Sequence, residues 1–191
     1  CENKNQSVQA IKEIFDGKFG KAENVLVEEF LNGEEMSFFT IHDGKVFKVF
    51  GTAQDHKRVL EGDKGKNTGG MGAYSPSRLI NEELEKKIIN KIILPTLKGL
   101  SELKTQYKGF LYTGLMIVDN EPYLIEYNVR MGDPECQTIL PKLETSIFDI
   151  FLACCEGKLK NTNIKWDDKK SICVVLCSKG YPDAYDKNVE I

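Results

Sequence analysis

Apolar residues recur along this chain with two different periods. Val8, Ile11, Ile14 and Phe15 fall three and four apart, which predicts an amphipathic helix over residues 6–16, broken by Asp16-Gly17 and Gly20. Val25-Leu26-Val27 is rich in β-formers and reads as a strand running into a connector. Ser37 to Phe50 predicts a hairpin turning at His42-Asp43-Gly44-Lys45, because Asp-Gly supplies the backbone a tight turn needs. A polar, glycine-containing stretch follows from Gly51 to Pro76, too long for a casual connection. Asn81 is an N-cap in the pattern, and Leu84, Ile88, Ile92 and Ile93 give a helix to about Leu103 with a kink expected at Pro95. A second hairpin pairs Phe110–Val118 with Pro122–Arg130 across Asp119-Asn120-Glu121. Ser146 with Asp149 opens a helix that ends near Gly157, and Ile172 to Cys177 reads as a buried strand. No internal repeat or low-complexity tract interrupts the pattern. The fold class is α+β: helices packed on a largely antiparallel sheet, without Rossmann-type βαβ alternation.

Composition narrows the function classes. The 191 residues are 41% hydrophobic and 29% charged, an ordinary globular balance, and the net charge of −3 argues against a general nucleic-acid binder. No apolar run approaches the roughly 20 residues of a membrane helix. There are six cysteines and two histidines. The cysteines form no C-x-x-C pair and stand at no metal-ligand spacing from a histidine, so there is no zinc signature. Cys154, Cys155, Cys173 and Cys177 lie in apolar patterns and are expected as small core residues in a reducing, cytoplasmic setting.

Four segments carry candidate chemistry. In a strand, Glu126, Asn128 and Arg130 share one face at i, i+2 and i+4. A carboxylate and an amide oxygen suit Mg²⁺, and an arginine beside them suits a phosphate or carboxylate. The alternative is the solvated face of an edge strand. Met131-Gly132-Asp133-Pro134-Glu135 then adds two carboxylates in a turn. Gly69, Gly70 and Gly72 sit in a glycine-dense loop whose amides could approach an anion, or which is simply flexible. Asp55, Lys57 and Arg58 could hold a phosphorylated substrate or form a solvated charged turn. The run Glu28 to Glu35 is either acidic surface or a connector that offers the backbone of Glu28 and Leu31 to a purine edge and Glu35 to ribose hydroxyls.

Taken in order, Val27-Glu28-Glu29-Phe30-Leu31-x-Gly33-Glu34-Glu35, Gln54-Asp55-His56-Lys57-Arg58, Asn67-Thr68-Gly69-Gly70-Met71-Gly72-Ala73-Tyr74-Ser75-Pro76 and Ile125-Glu126-Tyr127-Asn128-x-Arg130-x-Gly132-Asp133-Pro134-Glu135 resemble the phosphoribosylamine–glycine ligase family of ATP-grasp ligases. The resemblance runs from about residue 6 to the C-terminus. It implies an ATP-grasp fold, incomplete at both ends. The expected boundaries are 1–30 for the remainder of the small subdomain, 31–157 for the large subdomain, and 158–191 for a linker and the start of a C-terminal domain. It implies ATP-dependent ligation of glycine to 5-phosphoribosylamine through glycyl phosphate, a step of purine synthesis.

By residue, the resemblance makes Glu126 and Asn128 ligands of Mg²⁺ or Mn²⁺, and turns Arg130 toward the reacting phosphate or carboxylate. Glu28, Leu31 and Glu35 hold ATP. Asp55, Lys57, Arg58, Gly69, Gly70, Gly72 and Asp133 lie in regions that hold phosphoribosylamine and glycine. Positioning and charge stabilisation dominate such chemistry, which suits a chain with almost no histidine. No glycine-rich phosphate loop with its lysines precedes Ser7, so the chain reads as the middle of a longer enzyme. A monomer or weak homodimer in the cytoplasm is expected, with no nucleic-acid or membrane partner. Another ATP-grasp ligase and a non-catalytic nucleotide-binding module are the alternatives.

Overall fold

The computed structural model describes residue 1, residues 3–188 and residue 190. Two compact units form, Cys1–Leu31 and Asn32–Ile191. The first holds helix α1 (Lys4–Phe15), capped by Asn3, whose side-chain oxygen accepts from the Gln6 amide at 3.0 Å. The strand expected at Val25-Leu26-Val27 does not form. Leu26 and Val27 are exposed, and no strand is found in this unit among the described residues. An extended segment becomes a strand only when a neighbour takes its amides.

The second unit is built on a six-stranded antiparallel sheet. Its strands are β1 (Glu34–Asp43), β2 (Phe47–Asp55), β5 (Gly72–Ser75), β6 (Lys108–Val118), β7 (Glu121–Asn128) and β8 (Ser171–Val174), in the order β7-β6-β1-β2-β5-β8. The polar stretch 51–76 is therefore not one loop. It contains the end of β2, a two-stranded ribbon of β3 (Arg58–Leu60) and β4 (Lys64–Asn67), and then β5. The sequence reading missed these because the ribbon strands are three and four residues long and lack an apolar face.

Strand β1 lies between β6 and β2, and every residue from Met36 to Asp43 is buried. Met36 and Phe38 pack with Leu84, Ile88 and Ile93 on one face. Phe39 and Ile41 pack with Phe50, Ile139, Ile150 and Leu159 on the other. A bulge makes Phe50 the extra residue opposite the Phe39/Thr40 step. Its ring meets Phe110 and Trp166 edge-on at 4.8 and 4.9 Å.

The helical layer on the Met36 face begins at α2 (Glu82–Ile88), which Asn81 caps as expected by accepting from the Leu84 amide. A π-helical turn, Ile89–Ile93, leads into α3 (Leu94–Glu102). Pro95 enters at the start of α3, where its missing N–H costs least, so the interruption expected at this proline takes the form of a widened turn just before it. On the other face lie the short helix α4 (Cys136–Ile139) and α5 (Ile147–Glu156), which ends at Gly157 in the left-handed conformation. The hairpin between β6 and β7 closes on Asp119 and Asn120, both at positive φ.

Two further expectations are corrected. β8 is the outermost strand among the described residues, not a buried one: Ile172 and Val174 share a face of the strand and are both exposed. Of the four cysteines expected in the core, only Cys154 is buried, its thiol donating to the His42 carbonyl; Cys155 and Cys177 are exposed and Cys173 is half-buried. Among the described residues no helix is long and apolar enough to cross a membrane.

The first hairpin turn is held by one carboxylate. Asp43 is buried, and its Oδ1 accepts from the Lys45 and Val46 amides at 2.9 and 2.8 Å while Oδ2 accepts from the Leu159 amide at 3.1 Å. Burial pushes this carboxyl up, but the three donors outweigh it and hold its pKa below the usual value of 3.8. Its contribution is therefore present above pH 4 and is lost as pH falls through the lower folded-state value. Asp43→Asn is expected to cost about 2 kcal/mol at pH 7 and to flatten the acid limb of the stability curve. Urea denaturation between pH 2 and 7 checks this; an acid limb as steep as the wild type's would refute it.

Candidate active site

Beyond the apolar part of the Phe39 face, the sheet becomes polar at one end. Register places Glu126 of β7 opposite Gly114 of β6, and Gly114 opposite Ser37 of β1. The neighbouring row pairs Asn128 with Tyr112, and Tyr112 with Phe39. A bulge at Ile125 precedes this pair, so the alternation of β7 restarts there and Glu126 and Asn128 still share a face. Their side chains meet, Asn128 Nδ2 donating to Glu126 Oε1 at 3.0 Å. Gly114 makes room for this. A Cβ at that position would stand 3.1 Å from Glu126 Cγ.

A pocket of about 90 Å³ opens beside this row, lined by Glu35 and Ser37 of β1, Asp55 at the end of β2, Lys57, Tyr112 and Gly114 of β6, and Ile125 and Glu126 of β7. Lys57 Nζ lies 2.7 Å from Glu35 Oε2. Partial burial pulls the Lys57 ammonium down, but the bond to Glu35 and the charges of Asp55, Glu35 and Glu126 outweigh it and leave the pKa above the usual lysine value. Burial pushes Asp55 up to about 6, against the pull of Lys57 and with help from Glu135 and Glu35.

Behind the pocket, Glu135 is 2% exposed. Ser37 Oγ lies 3.0 Å from both Glu135 Oε1 and Tyr112 Oη, and with one proton Ser37 donates to only one of them. Burial, and then the Glu135 charge, push the Tyr112 phenol far above its usual range. Glu135 fits only because residue 132 is glycine: a Cβ there would overlap its carboxylate. Sequence reasoning assigned no role to Ser37, Tyr112 or Glu135. The available signals were a serine two residues from Glu35 inside an apolar strand, and a glycine inside the β6 pattern.

The remaining candidates divide. Arg130 does not share the β7 face, because the strand ends at Asn128. The arginine lies in the bend beyond it, and its guanidinium donates to the Met131 carbonyl at 2.9 Å. Arg58 is turned to the ribbon, donating to the Gly65 carbonyl at 2.7 Å. The glycine-dense loop, read as either a set of anion-facing amides or a flexible segment, instead has the amides of residues 69–71 bonded within the chain. Gly69 N donates to the Tyr181 hydroxyl, Gly70 N to Thr68 Oγ1, and Met71 N to the His56 carbonyl, so these amides are spent inside the protein. Gly70 instead permits a close approach. At φ +124° a Cβ would sit 2.5 Å from Pro134 Cδ, so this loop braces the Asp133-Pro134 turn. Asp133 Oδ1 accepts from Gln137 at 2.7 Å. Glu28 and Leu31 lie in the first unit, in a segment without helix or strand.

As a metal centre, Glu126 and Asn128 offer two hard oxygen donors. No cluster of three or more histidine, cysteine, aspartate or glutamate residues suited to a metal occurs among the described residues. The pair suits Mg²⁺, which keeps water and phosphate oxygens in its shell, better than a metal needing a closed protein cage.

Residues 1–136 match the family model described as phosphoribosylglycinamide synthetase, ATP-grasp (A) domain. The chain is 47% identical to a phosphoribosylamine–glycine ligase of Agrobacterium fabrum over 187 residues, covering 97% of this chain and 44% of the relative. It is 48% identical to that of Vigna unguiculata over 181 residues, covering 93% of this chain and 58% of the relative. The chain thus spans about half the length of these curated relatives. Among solved structures it is similar to the phosphoribosylamine–glycine ligase of Thermotoga maritima, with a TM-score of 0.85 and 34% identity, covering 97% of this chain and 47% of that one. The L-amino acid ligase of Bacillus licheniformis shares the fold at a TM-score of 0.64 and 14% identity, covering 94% of this chain and 42% of that one.

Two outcomes test the geometry. Gly114→Val is expected to displace Glu126, visible as loss of the close Glu126–Asn128 contact in a crystal structure of the variant; an undisturbed pair would refute the account. Between about pH 4 and 6 the folded state holds an Asp55 proton that the unfolded chain has released, so stability rises as pH falls through that window. Asp55→Asn is expected to remove this dependence and to stabilise the protein by about 1–2 kcal/mol at pH 7. Denaturation at pH 4 and 7, with a carboxyl carbon NMR titration of Asp55, measures both.

Proposed function

The chain belongs to the phosphoribosylglycinamide synthetase ATP-grasp (A) domain family, and from that premise we propose that it forms the catalytic core of an enzyme that joins glycine to 5-phosphoribosylamine with ATP, giving glycinamide ribonucleotide, ADP and phosphate. The observation that carries the reading is the pairing of Glu126 and Asn128 beside a pocket that also gathers Glu35, Asp55 and Lys57. A purely structural sheet end has no need of two adjoining oxygen ligands facing three further charges.

In this reading Glu126 and Asn128 hold Mg²⁺ or Mn²⁺, which when bound offsets charge on the nucleotide phosphates. Glu35 takes the ribose hydroxyls of ATP. In the first unit, the backbone of Glu28 and Leu31 is the contact offered to a purine edge. Lys57 supplies positive charge to the phosphate of phosphoribosylamine. Asp55, with a value near 6, takes up the proton that the attacking amine must shed. Arg130, beyond the end of β7, is the cation for the glycine carboxylate once it turns from the Met131 carbonyl. Asp133, Gly69, Gly70 and Gly72 belong to the regions that hold phosphoribosylamine and glycine, outside the lining of this pocket, and Arg58 supports them through the ribbon. Residues 1–30 are the remainder of the ATP-grasp small subdomain, 31–157 its large subdomain, and 158–191 a linker and the start of a C-terminal domain. A cytoplasmic setting and a monomer or weak homodimer complete the proposal.

The intact enzyme that contains this chain is expected to release ADP only when glycine and fresh phosphoribosylamine are both present. Glu126→Gln is expected to lower that turnover by a factor of at least about 100 while far-UV circular dichroism stays unchanged. Unchanged turnover in this variant would remove the metal assignment. Turnover with another amino acid in place of glycine would move the chain to a different ATP-grasp ligase.

A further inference from the structure

Lys57 is the one cationic side chain among the described residues lining the pocket, and it faces Glu35, Asp55 and Glu126. These carboxylates come from three strands, β1, β2 and β7, and serve different ligands in the reading above. The Lys57 ammonium commits to Glu35, at 2.7 Å, with the two side chains 36% and 48% exposed. An ion pair this wet is worth little, about 1 kcal/mol or less, so a competing partner can dissolve it readily. A ribose diol is such a partner, since its two hydroxyls donate to a carboxylate. A carboxylate engaged by the diol holds the ammonium less firmly, and a phosphate dianion attracts that ammonium more strongly.

We propose that Lys57 is a place-holder cation: it occupies Glu35 while the site is empty, gives that carboxylate up to the nucleotide ribose, and turns to the phosphate of the second ligand. The inference rests on the assignment of Glu35 to the ribose and of the pocket to a phosphorylated amine. It adds an order to them, in which nucleotide binding releases the charge that the phosphorylated substrate needs. Lys57 then acts as a positioning residue that couples two ligand sites, with no bond made or broken on it.

The proposal makes a signature that a purely structural lysine would not give. Binding is measured on the intact enzyme by calorimetry with two probes: adenosine, which has the ribose but no phosphate, and ribose 5-phosphate, which has the sugar phosphate but no amine. Lys57→Met is expected to tighten adenosine about 2- to 5-fold, the fold-change equivalent of an exposed ion pair, and to weaken ribose 5-phosphate at least about 5-fold. Lys57→Arg is expected to restore the phosphate arm. Glu35→Gln gives the mirror image, weaker adenosine and tighter ribose 5-phosphate, and it serves equally if Lys57→Met fails to fold. Both probes weakening in Lys57→Met, or adenosine unchanged, would overturn the place-holder role. Failure of the wild-type enzyme to bind adenosine or Mg²⁺–ADP would instead bring down the ligase reading on which the role rests.

Discussion

The structure depends on the burial of β1 on both faces. A strand with apolar residues at successive positions cannot leave either side in water, and its amides must be paired along both edges. The ladders to β6 and β2 meet the second demand. The helical layer α2–α3 and the opposing α4 and α5 meet the first. Once β1 is fixed in this way, its polar start, exposed Glu35 and buried Ser37, has only one place to go. Those two residues stand at the end of the Phe39 face, Ser37 level with Gly114 and Glu126 and Glu35 one step beyond on the same face. The site is the end of the sheet that the core does not fill.

The electrostatics of that end follow from the same constraint. Carboxylates from adjacent strands are brought close by register, not by attraction, and they repel. Lys57 offsets part of this. Burial is the main cause that lifts Asp55 to about 6, and repulsion from Glu135 and Glu35 adds to it. Glu135 intensifies the imbalance from behind while being held by Ser37. Sites built for anionic ligands with a metal ion often carry such an excess when empty, because the incoming cation supplies the balance.

Much of this was legible in the residues. The hairpin turns at Asp43-Gly44 and Asp119-Asn120 were, because those residue types solve a backbone problem that few others solve. The caps at Asn81 and Ser146 were legible for a similar reason, and so was the shared face of Glu126 and Asn128. Arg130 was not, because alternation says which way a side chain points only while the strand lasts, and nothing in Val129-Arg130 marks where pairing stops. The glycine loop misled in a different way. Composition shows that amides can approach something, but the partners here, Tyr181 and Pro134, come from distant parts of the chain. Burial of Ile172 to Cys177 was misjudged because an apolar run reports what a segment can bury, not whether a neighbour is there to cover it.

That last segment matters for the chain's conduct in solution. Among the described residues β8 has a strand neighbour on one side alone, with Ile172 and Val174 exposed beside it, and Leu176 follows almost fully exposed. Unpaired edges of this kind recruit other edges, including those of identical molecules. Lys170 stands just ahead of the strand and discourages close approach by its charge, while Lys169 beside it is paired with Asp167 at 3.0 Å. Where that edge stays open, salt that screens the charge of Lys170 favours its pairing with another edge.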